Sequence, residues 1–205
     1  GFGMLDLRRM LTGPRYAAAL RGLARPLDLR LNHAVTAIEP GGVVRVSTPD
    51  GPTAIEAERV LIATGIREMT RAERLIGGNR PYGVMTTGAL QRFVYLNGVL
   101  PCRRPLIVGT EYVSLSTLLT LRHGGVKPVA FVAEESPTPA PRALVALAGW
   151  TFGVPVLHGT VETVAGLKQV EGVVLSHGGV RQEIACDAVI FTGRWIPENS
   201  LVRRL

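Results

Sequence analysis

The chain has 205 residues, 46% of them hydrophobic, enough for one large or two small globular domains with a real core. Its formal charge of +7 is almost wholly arginine, with Lys127 and Lys168 the only lysines; the arginines are scattered as singles and doublets and only 5% of residues are aromatic, which excludes the aromatic-interleaved basic stripe of a nucleic-acid surface. The apolar runs at 60–63 and 129–133 fall far short of the roughly 18 residues of a membrane helix, and the opening residues lack the order of a secretory leader, so a cytoplasmic protein without a transmembrane segment is expected.

Thr12-Gly13-Pro14 ahead of an alanine-rich stretch predicts a helix to about Ala24, with a capping hydroxyl and a proline in the first turn. Alternation follows: Leu27, Leu29 and Leu31, then Val35 and Ala37, then 43–46 and 54–57, separated by turns at 39–42 and 49–51. This predicts a three-stranded antiparallel meander. Residues 59–65, Arg-Val-Leu-Ile-Ala-Thr-Gly, form a continuous apolar stretch of the kind buried on both faces of a parallel sheet. The pattern recurs at 160–166, 170–176 and 180–185, ending in the apolar run 187–193 with its own Thr-Gly. Such an internal repeat implies two related domains. Between the copies, strand signals at 105–109, 126–133 and 154–157 alternate with helix signals at 113–123, closed by Gly124-Gly125, and at 141–152. That order predicts an α/β fold with a right-handed, Rossmann-like parallel sheet beside the antiparallel meander.

A working dinucleotide turn reads Gly-x-Gly-x-x-Gly, in which the second glycine lets a pyrophosphate touch backbone and the third lets helix and strand pack closely. Here the turn is Gly109-Thr110-Glu111-Tyr112-Val113-Ser114. The first glycine is kept and Ser114 is a small third residue. Glu111 replaces the second, adding bulk and a negative charge at a helix start that would otherwise receive an anion. Two unit charges about 4 Å apart repel by about 1 kcal/mol in water and about 4 at an effective dielectric near 20, so loss of NAD(P) binding is expected. Against this stands Glu134-Glu135 at the end of the second strand, where an acid would grip the ribose of NAD; a pair of acids there reads more simply as a solvated turn. Cys102 and Cys186 are far apart and form no Cys-x-x-Cys, His33, His123, His158 and His177 lack metal-ligand spacing, and no Gly-x-Ser-x-Gly occurs; no redox dithiol, metal site or hydrolase elbow is expected.

The string 60–68, the stretch Gly83-Val84-Met85-Thr86-Thr87-Gly88-Ala89-Leu90-Gln91, the altered turn 109–114 and Phe191-Thr192-Gly193-Arg194 followed by Pro197-Glu198 together resemble the pyridine-nucleotide-disulfide oxidoreductase superfamily. Within it they are similar to the flavoprotein subunit of opine oxidases, hydrogen cyanide synthase and dye-linked proline dehydrogenases. The resemblance implies a two-dinucleotide-domain flavoprotein fold, with residues 1–101 a partial FAD-binding domain to which 187–205 returns, and 102–186 an NAD(P)-binding-like domain. It further implies that Ala63, Thr64 and Gly65 form an FAD contact, that Val35 lies on the strand whose backbone meets the adenine, and that Thr192, Gly193 and Arg194 lead back into the FAD domain. The family's opening strand, its FAD-binding Gly-x-Gly-x-x-Gly and its final flavin-pyrophosphate aspartate are not found in the sequence. The chain is therefore expected to be incomplete at both ends and to hold FAD poorly alone. The implied activity is FAD-dependent oxidation of an amine, amino acid or opine-like small molecule, with electrons passed to a non-nicotinamide acceptor such as a quinone, dye or iron-sulfur centre; a partner oxidoreductase subunit is also implied. An NAD(P)H-dependent flavin reductase of diaphorase type and a non-catalytic scaffold subunit are the alternatives. No side chain is named as acid or base.

Overall fold

A computed structural model describes residues 3–134 and 140–204. They fall into two compact units, 1–63 with 199–205, and 64–198.

In the first unit, helix α1 (Gly13–Ala24) begins with proline in its first turn, but Thr12 makes no side-chain cap, and the helix buries no residue. Strands β1 (Ala34–Glu39), β2 (Val43–Thr48) and β3 (Gly51–Glu56) form the antiparallel meander, in the order β1-β2-β3. Val44 and Val46 are its buried residues, two apart on one face of the central strand. The alternating leucines at 27–31 lie outside the sheet and are exposed. Residues 59–65 likewise form no strand, and Leu61 is 92% exposed. A strand buried on both faces needs parallel neighbours to take its backbone groups, and no described strand pairs with this segment.

The second unit runs β4 (Ile66–Glu68), β5 (Gly77–Gly78), β6 (Val84–Thr86), α2 (Thr87–Asn97), β7 (Pro105–Val108), α3 (Tyr112–His123), β8 (Phe131–Ala133), α4 (Arg142–Phe152), β9 (Val156–His158), β10 (Thr160–Ala165), β11 (Gly172–His177), β12 (Val180–Ala185), β13 (Ala188–Phe191) and β14 (Trp195–Pro197). Five strands make a parallel sheet in the order β6-β13-β7-β8-β9, and four make a second sheet in the order β12-β11-β10-β5. The parallel sheet explains why β7 and β13 are apolar without alternation. Leu106, Val108, Val189 and Phe191 pack toward Val161, Val164, Val173 and Leu175 of the second sheet, whereas Ile107, Ala188 and Ile190 pack toward Leu90, Leu118 and Leu121 of α2 and α3. Both faces are dry.

The first strands of the two meanders share a detail. Pairing slips by one residue between Val35 and Ala37 in β1, and between Val161 and Thr163 in β10. Each is a bulge after the second residue of its strand.

Cys102 and Cys186 are both buried free thiols. Burial, and secondarily the Asp187 carboxylate, pushes each up to about 12; Asp187 itself accepts the backbone N–H groups of Arg103 and Arg104 at 2.7 and 2.8 Å. Because these values lie above the usual 9.0, the native state keeps protons that the unfolded chain loses. The resulting stability is fully present below about pH 9 and is lost as pH rises through about 12. At pH 8 native protein is expected to react with a thiol-specific chromogenic disulfide no faster than it unfolds, and to release two equivalents once denatured. Immediate labelling of the native protein would contradict this burial.

Candidate functional site: the crevice between β7 and β13

The strand order reverses at β7. From it the chain crosses through α3 to β8 on one side, while β13 lies against it on the other, which places a topological switch point beyond the carboxyl ends of β7 and β13. Gly109 leaves β7 with φ +126°, a region open to glycine and strained for other residues, and its N–H bonds Val132 O at 2.9 Å. Thr110 is buried and its carbonyl accepts the Ala140 N–H at 2.9 Å. Glu111 is the N-cap residue of α3, but its side chain does not cap. Ser114, wholly buried, donates from N and Oγ to Glu111 O at 2.9 and 2.7 Å, so the third position of the turn keeps its close-packing role.

The Glu111 carboxylate turns into the crevice, and the residue is 4% exposed. Thr192 Oγ1 lies 2.9 Å from Glu111 Oε2 and 3.2 Å from Val108 O; the shorter, charged contact is the better acceptor for its single proton. A Cβ built on Gly193 would lie 2.5 and 2.7 Å from the two carboxylate oxygens, and one built on Gly109 would lie 2.6 Å from Oε2. The carboxylate thus rests on bare backbone from both strands. That is the surface a pyrophosphate requires, and it is filled from within.

The charge of the crevice is also balanced internally. Arg74, whose side chain is 1% exposed, donates to Thr192 O at 2.7 Å and to Met69 O at 3.2 Å, and pairs with Glu134 at 3.2 Å. Arg194 approaches the same Glu134 oxygen at 3.5 Å. Burial pulls the Arg74 guanidinium below its ordinary value, opposed chiefly by Glu134 and further by Glu111 and Glu68. Glu134 is 4% exposed at its side chain and also accepts the Val161 N–H at 3.4 Å. It is therefore neither the ribose grip nor the solvated turn that its sequence position suggests: two arginines hold it inside. Glu135 lies outside the described residues.

The other expected site residues are placed as follows. In the first unit, Val35 lies on β1 opposite Val46, and Ala63 is in an exposed segment without regular structure. In the second, Gly65 has φ +74°, Thr64 Oγ1 donates to Glu198 O, and Gly65 O accepts the Glu198 N–H at 3.0 Å. Arg194 also has positive φ, +49°, and its carbonyl accepts the Met69 N–H at 3.1 Å. The structure brings Gly109, Glu111, Ser114, Thr192 and Gly193 together in one crevice. Sequence reasoning missed Arg74, which no motif marks. It also missed α2, whose Thr86 cap and left-handed Gly98 bracket Ala89, Leu90, Phe93 and Val94 at helical spacing, and Glu68, a buried acid that accepts the Gly88 N–H at 2.9 Å in the first turn of that helix.

In fold, the chain is similar to solved structures of pyridine nucleotide-disulfide oxidoreductases. Solved structures that superpose on it include thioredoxin reductase from T. acidophilum (TM-score 0.68, 16% identity, 95% of this chain and 63% of that one) and L-proline dehydrogenase from P. horikoshii (TM-score 0.51, 19% identity, 83% of this chain and 28% of that one). In sequence, it is 32% identical over 145 residues to sarcosine oxidase subunit alpha of Rhizobium meliloti (strain 1021), a match that covers 70% of this chain and 14% of that subunit. No family model matches the chain. No described helix is long and apolar enough to cross a membrane.

Proposed function

We propose that this chain is part of an FAD-dependent oxidoreductase that oxidises an amine, amino acid or opine-like small molecule, and that its nicotinamide-type domain is a scaffold which does not take NAD(P). The observation that carries the reading is the Glu111 carboxylate seated between Gly109 and Gly193 and hydrogen-bonded to Thr192. A dinucleotide diphosphate would have to displace it from the bare backbone of Gly109 and Gly193 or lie against its negative charge. The residues present do not fit NAD(P).

They fit FAD better. Gly65 has positive φ, and a Cβ built on it would meet nothing within 4 Å, so Gly65 offers open, bare backbone of the kind a flavin nucleotide approaches. With FAD bound, the chemistry supplied is two-electron oxidation of the substrate; the residues of this chain bind and orient. A sarcosine oxidase subunit and an L-proline dehydrogenase among the similar proteins support an amine or amino-acid substrate. The first of those proteins is itself a subunit, which supports a partner oxidoreductase subunit here.

The test is anaerobic reduction of the flavin in the protein that carries this chain. Secondary amines or amino acids are expected to bleach the flavin band, and NADH is expected to leave it oxidised. Rapid bleaching at micromolar NADH would establish the diaphorase-type reductase in its place. A complete protein that retains no flavin would establish the scaffold reading.

A further inference from the structure

Apart from the β7–β13 crevice, the second unit contains a cavity of about 780 Å³ between the 70–81 segment, β6 and α2. Its apolar side is formed by Ile76, Met85, Phe93 and Phe191, and Arg71 and Arg80 bring positive charge to it. Arg71 holds the segment in shape: its Nε donates to Ile76 O at 3.2 Å and its two terminal nitrogens donate to Gly77 O and Asn79 O. Three of its five N–H groups are thereby used and two remain. Among the described residues, neither Arg71 nor Arg80 forms an ion pair with a carboxylate. Partial burial, and secondarily the charge of Arg80, draw the Arg71 guanidinium below its ordinary value, and both residues line the one cavity. This is the reverse of the neighbouring crevice, where every cation has its acid.

We propose that this cavity binds a small organic carboxylate with an apolar body, its carboxylate held by Arg71 and Arg80 and its body laid against Phe93, Met85 and Phe191. A carboxylate fits better than a phosphate. Two remaining N–H groups on Arg71 and one exposed arginine suit a planar monoanion, whereas a phosphate dianion seeks more donors and gains nothing from the aromatic wall. The inference does not depend on the flavin reading, because the cavity is complete within the second unit.

The chain has four methionines, of which Met85 alone lines this cavity, so the methyl resonances of methionine-labelled protein provide a local probe. Phenylacetate is expected to shift the Met85 signal saturably and to leave Met4, Met10 and Met69 in place, while 2-phenylethylamine, with the same body and the opposite charge, leaves Met85 unmoved. Arg80→Gln, at an exposed position, is expected to weaken phenylacetate about fivefold, the loss of about 1 kcal/mol of charge attraction, with the other three methyl signals reporting an intact fold. The proposal is overturned if Met85 stays still up to about 10 mM phenylacetate, if the amine shifts it equally, or if Arg80→Gln binds as tightly as the parent. Saturation by inorganic phosphate at lower concentration than phenylacetate would equally overturn it, since the apolar wall would then contribute nothing.

Discussion

Replacing Glu111 with glycine is expected to give this protein affinity for NADH that the parent lacks. The substitution leaves bare backbone at 109, 111 and 193, and it removes a negative charge from the first turn of α3, where free N–H groups and the helix dipole favour an anion. It also leaves Arg74 with one carboxylate fewer to answer it. Removal of charge repulsion alone is worth about 1 to 4 kcal/mol at 4 Å, or roughly five- to a thousandfold in affinity. Glycine is tolerated at a helix N-cap at a cost of a few tenths of a kcal/mol. Thr192 Oγ1 keeps Val108 O as an acceptor, so no buried hydroxyl is stranded. Glu111→Gln separates shape from charge: an amide of equal size still fills the space above Gly109 and Gly193, and little NADH affinity should appear. Calorimetric titration of the three proteins decides the matter, and a glycine variant that binds no better than the parent shows that Glu111 is not the obstacle.

Glu134→Ala is expected to be the most destabilising single truncation in the crevice. Arg74 has a side chain only 1% exposed and Glu134 one only 4% exposed, 3.2 Å apart; removing the acid strands a buried cation. Breaking a buried pair from one side costs about 3–5 kcal/mol, and at this chain length each kcal/mol lowers Tm by about 2–4 °C. A drop on the order of 10 °C is therefore expected. Glu134→Gln keeps an acceptor for Arg74 and for the Val161 N–H, so its loss should be smaller. The double variant Arg74→Met with Glu134→Leu should recover much of the stability, because replacing both partners leaves neither charge unpaired. Denaturant unfolding measures all three. A Glu134→Ala midpoint equal to the parent's would mean that the pair is not holding the crevice.

The parts of this fold that sequence revealed are those where one residue type answers one local demand. The apolar strands β7 and β13, buried on both faces, left no polar residue to interrupt them, and the Gly124-Gly125 break after α3 was visible because glycine ends helices cheaply. The turn 109–114 could be read because each glycine there has a separate physical task, so Glu111 stood out as an intrusion. What sequence concealed depends on partners far along the chain. The stretch 59–65 has the composition of a buried strand, yet strand formation needs neighbours, and no described strand pairs with it. Glu134 looked like a turn residue until Arg74, sixty positions earlier, and Arg194, sixty positions later, were seen to converge on it. Likewise Thr192 and Gly193 read as the end of a repeat; only the parallel pairing of β13 with β7 sets them against Glu111.

The most direct measurement follows the backbone amides of Gly109 and Gly193 by nuclear magnetic resonance while NADH is added to the chain. With a carboxylate already resting on both glycines, the two amides should keep their positions at every NADH concentration that leaves the bulk spectrum unchanged. Saturable shifts of both glycines at micromolar NADH would mean that a diphosphate has entered the crevice beside Glu111, and that its side chain does not close it.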